Sequence, residues 1–108
     1  MRIIARSTLR SYVASLDGHK EQSAVETALE AWFARVEAAK WVTSADIKAM
    51  FVRASIVSAE RVVFDIKGND YRLVAAIDYE HGVVYIKWIG THKEYDKIDV
   101  RSVSYVKK

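Results

Sequence analysis

Near Ala59 the hydrophobic pattern of this chain changes its period, from roughly 3.6 residues to roughly 2, and that change limits the folds open to it. Before it, Leu9, Tyr12, Val13 and Leu16 recur with helical spacing and predict a helix from Ser7 to about Leu16, closed by Asp17-Gly18. A second helix is expected from Ser23 to about Ala39, with Val25, Ala28, Leu29, Trp32 and Val36 as its buried stripe. Ser23 and Glu26 have the spacing of a capping box at its start. Thr43-Ser44-Ala45-Asp46 opens a third helical piece ending near Phe51, and Arg2 to Ile4 reads as a short strand. After Ala59, the segments Arg61–Lys67, Tyr71–Tyr79 and Val83–Ile89 alternate as half-buried strands. Gly68-Asn69 and Glu80-His81-Gly82 supply the two turns of an antiparallel meander. Helices first and strands second indicate an α+β chain rather than alternating βαβ units. The expected architecture is N-terminal helices on one face of a small antiparallel sheet, with a short C-terminal helix after the last strand.

The 108 residues suffice for one compact domain, expected to span 1–108. A hydrophobic fraction of 51% and a charged fraction of 29% are ordinary for a soluble globular chain. No apolar run approaches the ~18 residues that a membrane helix requires, and Met1-Arg2-Ile3-Ile4-Ala5-Arg6 lacks the apolar stretch of a signal peptide. The absence of cysteine removes disulfides and thiolate metal sites from consideration. The expected address is the cytoplasm. A net charge of +3 and a pI of about 9.2 give weak support for an anionic partner.

Register divides the predicted sheet into two faces. Val62, Phe64, Ile66, Leu73, Ala75, Ile77, Val84, Ile86 and Trp88 form a uniformly apolar set that should receive the helices. The opposite set contains Arg61, Val63, Asp65, Lys67, Arg72, Val74, Ala76, Tyr85 and Lys87, so cations and an aromatic stand there without an evident covering helix. The last strand then runs into Gly90-Thr91-His92-Lys93-Glu94-Tyr95-Asp96. Thr91 and Glu94 fit a second capping box, leaving His92 and Tyr95 three apart and on one helical face. Histidine titrates near neutrality and a helix start attracts anions. The combination suggests phosphodiester chemistry in an RNA cleft.

Two segments carry a resemblance to a known family. Phe64-Asp65-Ile66-Lys67-Gly68-Asn69-Asp70-Tyr71-Arg72-Leu73, followed by Gly90 to Asp96, resembles the HigB toxins of bacterial type II toxin–antitoxin pairs, within the RelE-like superfamily. The likeness extends over nearly the whole chain, including Arg2 to Arg6 and Trp41 to Phe51. It departs at Asp65, where asparagine is the commoner residue, and at Ser44, where proline is expected. The resemblance implies a RelE-like fold and a ribosome-dependent mRNA endonuclease with no cofactor, restrained by a helix-turn-helix antitoxin.

Within that frame His92 is the expected proton-transfer group, and Tyr95 orients the 2′-hydroxyl, shares in proton transfer or stacks on a base. Arg72 is the expected stabiliser of the phosphate oxyanion, its structural alternative being a cross-strand salt bridge to Asp65. Lys67, Tyr85, Lys87, Lys93 and Arg61 are the expected RNA contacts. Glu94 is better explained by capping than by catalysis. His92, Glu94 and Asp96 spread around a helix axis and do not converge on a metal. His19 and His81 fall in loops without assigned roles, and Trp32, Trp41 and Trp88 read as core. Arg2, Arg6 and Arg10 form a solvated face with a secondary chance of touching ribosomal RNA. The basic stretch Arg101 to Lys108 reads equally as a frayed tail, an edge strand or an antitoxin contact. The competing class is a non-catalytic module that binds RNA or DNA gyrase.

Overall fold

The computed structural model describes residues 1–104. Its elements are β1 (Arg2–Ile4), α1 (Arg6–Ser15), α2 (Gln22–Ala38), α3 (Ser44–Met50), β2 (Ser55–Ile56), β3 (Arg61–Ile66), β4 (Tyr71–Asp78), β5 (Val83–Thr91) and α4 (His92–Tyr95). The expected meander β3–β4–β5 forms the middle of a five-stranded sheet ordered β1-β5-β4-β3-β2. β2 pairs antiparallel with β3, whereas β1 runs parallel to β5 and makes the sheet mixed. That parallel strand is possible because α1 to β4 all intervene between β1 and β5, giving the long connection that parallel pairing needs. The β3–β4 turn places Lys67 (φ 52°) and Gly68 (φ 66°) in the left-handed region, a cost that glycine avoids and lysine bears.

The helices cover one face of the sheet. Val62, Phe64, Leu73, Ala75, Ile77 and Val84 are buried beneath Val25, Leu29, Trp32, Val36 and Ile47. Phe64 sits at the centre of an aromatic cluster, with ring centroids of Trp32, Trp41 and Phe51 at 5.3, 6.1 and 5.1 Å. Edge-to-face and stacked pairs of this kind add about 0.5–1.5 kcal/mol each beyond the area they bury.

Three local expectations are corrected. α2 begins at Gln22 with Glu21 as its N-cap and no side-chain cap, so the Ser23–Glu26 capping box does not form. Its entry is instead fixed by Gln22 Nε2 donating to the Val13 carbonyl at 2.9 Å and the Glu21 N–H donating to His19 Nδ1 at 3.1 Å. Trp88 does not join the core. Val74 pairs with Trp88 while Ala75 pairs with Ile86, so Lys87 is the extra residue of a β-bulge. The bulge reverses the facing of everything after it, and Ile89 takes the core position at 2% exposure. Lastly, the face opposite the helices is not bare. Val63 and Val74 are buried there, and Arg61 Nη1 donates to the Val103 carbonyl at 2.6 Å, tying the chain after α4 back to β3. Residues 105–108 of the predicted basic tail lie outside the described residues.

Candidate functional site

The second face of the sheet converges on the start of α4. Opposite Trp88 stands Val74, and opposite Gly90 stands Arg72, itself paired with Asp65. Gly90 is required by its neighbour: a Cβ there would lie 2.4 Å from Trp88 Cη2 and 2.6 Å from Cζ2. The indole lies across the glycine backbone and meets Tyr95, with ring centroids 6.3 Å apart and planes tilted by 52°. The Arg72 guanidinium carbon stands 5.8 Å from the centre of the Tyr95 ring, within the range at which a cation is attracted to an aromatic face. Arg72 Nη1 lies 3.3 Å from Asp65 Oδ1 and donates to the Asn69 carbonyl at 3.0 Å. The expected alternative for Arg72, a bridge to Asp65, is therefore present, and it holds the same guanidinium beside Tyr95.

The Thr91–Glu94 box forms as the spacing predicts. Thr91 Oγ1 accepts from the Glu94 N–H at 3.1 Å, and Glu94 Oε1 accepts from the Thr91 N–H at 2.8 Å. The His92 N–H donates to the Asp70 carbonyl at 2.9 Å, which fastens α4 to the β3–β4 turn. Three of the first backbone N–H groups of this one-turn helix are thus engaged internally. An anion at the helix start would have to compete with those internal bonds. Glu94 is occupied by capping. His92 is exposed, and its position three residues before Tyr95 puts both on the same side of the turn.

The remaining candidates separate into distinct environments. Tyr85 is exposed, with Lys87 Nζ 5.5 Å from its ring centre. Lys93 is exposed on α4. Lys67 is not on the sheet face: it lies in the β3–β4 turn, 3.0 Å from both Glu21 Oε2 and Asp70 Oδ2. Its hydrogen bonds to Asp70 and then to Glu21, whose carboxylates accept from the ammonium, hold its pKa above the usual lysine value. Lys67 is thus held by two carboxylates rather than standing alone on the sheet face. Arg61 is not offered to solvent, being 9% exposed and committed to Val103. Among the described residues, no group of three or more His, Cys, Asp or Glu side chains is placed to hold a metal ion, and no helix is long and apolar enough to cross a membrane.

Sequence reasoning missed Trp88, Gly90 and the Asn69 carbonyl as parts of this site. The first two were hidden by the bulge; a glycine between two large apolar residues and a capping threonine is the signal that pointed to a close approach. No curated protein matches the chain. A family model described as HigB_toxin, RelE-like toxic component of a toxin-antitoxin system, matches residues 25–98, a span that contains β2 to β5, α4 and every member of the constellation above. The chain belongs to that family of toxins, whose counterpart is an antitoxin.

Proposed function

We propose that this chain, acting as a single domain over residues 1–108, is a ribosome-dependent and metal-independent mRNA endoribonuclease of the bacterial cytoplasm. On this reading it inhibits translation and is restrained by a helix-turn-helix antitoxin. The observation that carries the reading is the grouping of an exposed imidazole, a phenol and a guanidinium at the end of β5. His92 and Tyr95 share one side of α4, and Arg72 stands against the Tyr95 ring.

RNA brings its own nucleophile, the 2′-hydroxyl. The protein must align that hydroxyl with the scissile phosphate, neutralise charge on the phosphate, and protonate the departing 5′-oxygen. His92 moves the proton, a contribution of roughly 10²–10⁴-fold for a positioned acid or base. Arg72, held at a fixed orientation by Asp65 and Asn69, stabilises the equatorial oxygens. Tyr95 orients the hydroxyl. Tyr85 and Lys87 on β5 and Lys93 on α4 track the RNA backbone. Arg61 and Lys67 act as structural clasps unless their present partners release them.

The test is primer extension on an mRNA incubated with the purified protein, with and without ribosomes, alongside His92→Gln. Discrete cuts that require ribosomes, that persist in EDTA, and that fall roughly 10²–10⁴-fold in a variant of unchanged melting temperature are expected. Cleavage retained by His92→Gln refutes its role. A folded wild-type protein that cuts nothing in either condition refutes the nuclease and favours a binding toxin.

A further inference from the structure

Deepening the proposed ribonuclease reading, and resting on it for the identity of the ligand, we infer that Trp88 is the platform on which an unpaired nucleobase of the RNA stacks. Four features of the fold converge on this side chain. The bulge at Lys87 turns Trp88 out of the core and onto the face that carries Arg72 and Tyr95, and bulges recur beside active sites because they re-aim a side chain in this way. Gly90 removes the Cβ that would collide with the indole, so the ring is seated against backbone. Tyr95 lies against it, tilted by 52°. Trp88 stays half-buried, whereas Trp32 and Trp41 are enclosed at 3% and 4% exposure.

Indole, phenol and guanidinium therefore follow one another across the sheet, the first two 6.3 Å apart and the last 5.8 Å from the phenol ring. Aromatic surface beside a cation is the chemistry that holds single-stranded nucleic acid, the ring taking a base and the cation its phosphate. An aliphatic side chain would cover Val74 and Gly90 equally well. What tryptophan adds is a broad π-face next to the cation. Because every base has such a face, Trp88 contributes affinity and position rather than sequence choice.

The experiment uses the full chain without ribosomes and a fluorescein-labelled, unstructured 2′-O-methyl RNA oligonucleotide, which has no free 2′-hydroxyl and cannot be cut. All three indoles emit, but contact quenching by a stacked base reports Trp88, since the other two are enclosed; fluorescein anisotropy follows affinity. Saturable quenching is expected in the wild type and its loss in Trp88→Phe, which retains most of the affinity. Trp88→Leu, apolar but without a ring, should bind roughly 5- to 150-fold more weakly, the span of base–aromatic stacking. Equal binding by wild type and Trp88→Leu, or binding without quenching, or no binding by the wild type, overturns the assignment. Saturable quenching from a protein that never cuts mRNA on ribosomes would uphold Trp88 and refute the nuclease. Ribosome-dependent cutting with unaltered binding by Trp88→Leu would do the reverse.

Discussion

Arg72 neutralises Asp65 and, in the proposed mechanism, also the phosphate, and paired substitutions separate the two roles. At 3.3 Å the raw attraction between the two charges is about 5 kcal/mol for an effective dielectric of about 20. Desolvation opposes most of it. Exposed pairs are worth ~0.2–1 kcal/mol, while removing one partner of a fully buried pair costs ~3–5 kcal/mol. With side chains 13% and 20% exposed, this pair lies between those limits. Arg72→Leu should therefore cost about 2 kcal/mol, an unfolding midpoint lower by roughly 8–16 °C for a domain of this size. The penalty comes mainly from the stranded Asp65 carboxylate, so Asp65→Asn in the same chain should restore much of it. Cleavage should behave differently. Loss of a preorganised charge costs roughly 10²–10³-fold, and the double variant should stay at that lower rate because nothing has replaced the guanidinium. Asp65→Asn alone should remain active, with Arg72 still donating to the Asn69 carbonyl. Thermal melts report the first effect and ribosome-dependent primer extension the second. A double variant that cuts mRNA like wild type would show that Arg72 serves only to neutralise Asp65.

Gly90→Ala places a methyl 2.4 Å from Trp88 Cη2, and the overpacking should cost ~1–3 kcal/mol in urea unfolding; because the indole must swing outward, acrylamide should also quench more of the tryptophan emission, and unchanged quenching would refute the close seating. In the acid limb, backbone N–H groups of Val42 and then Thr43 hold the Asp46 carboxyl below its ordinary 3.8. A folded value below the unfolded one means stability present above the carboxylate range and lost as pH falls through the folded value. Asp46→Ala should thus flatten the loss of stability measured by urea midpoints below about pH 4, whereas an unaltered acid limb would show that the Asp46 hydrogen bonds at the start of α3 contribute nothing to it.

Much of the fold was legible because it follows from local rules. The helical stripe Val25, Leu29, Trp32 and Val36 is buried as the spacing predicts, and the Thr91–Glu94 box, a matter of four consecutive residues, forms with both of its bonds. The Asp65–Arg72 pairing follows from the length of the Gly68-Asn69 turn, which fixes hairpin register. Where several interactions competed for the same group, the sequence was silent. Ser23 has the right spacing for a cap, yet α2 starts one residue earlier because Gln22 reaches the Val13 carbonyl across the helical turn. Lys67 looked free until Glu21, 46 residues away, closed on it.

The sequence by itself determined the order of helices and strands, the core face up to Ile86, and the delivery of His92 and Tyr95 to the end of β5, since each depends on periodicity or on contacts within a few residues. Only the tertiary structure decided what lies beside them. Trp88 and Ile89 are adjacent and both apolar, so alternation alone offers no reason to bury one rather than the other. The choice is made by the β4–β5 ladder, which absorbs Lys87 as an extra residue and passes the core position to Ile89. The return of the chain from α4 to the Arg61 guanidinium is a contact 42 residues apart in sequence, and no local pattern records it.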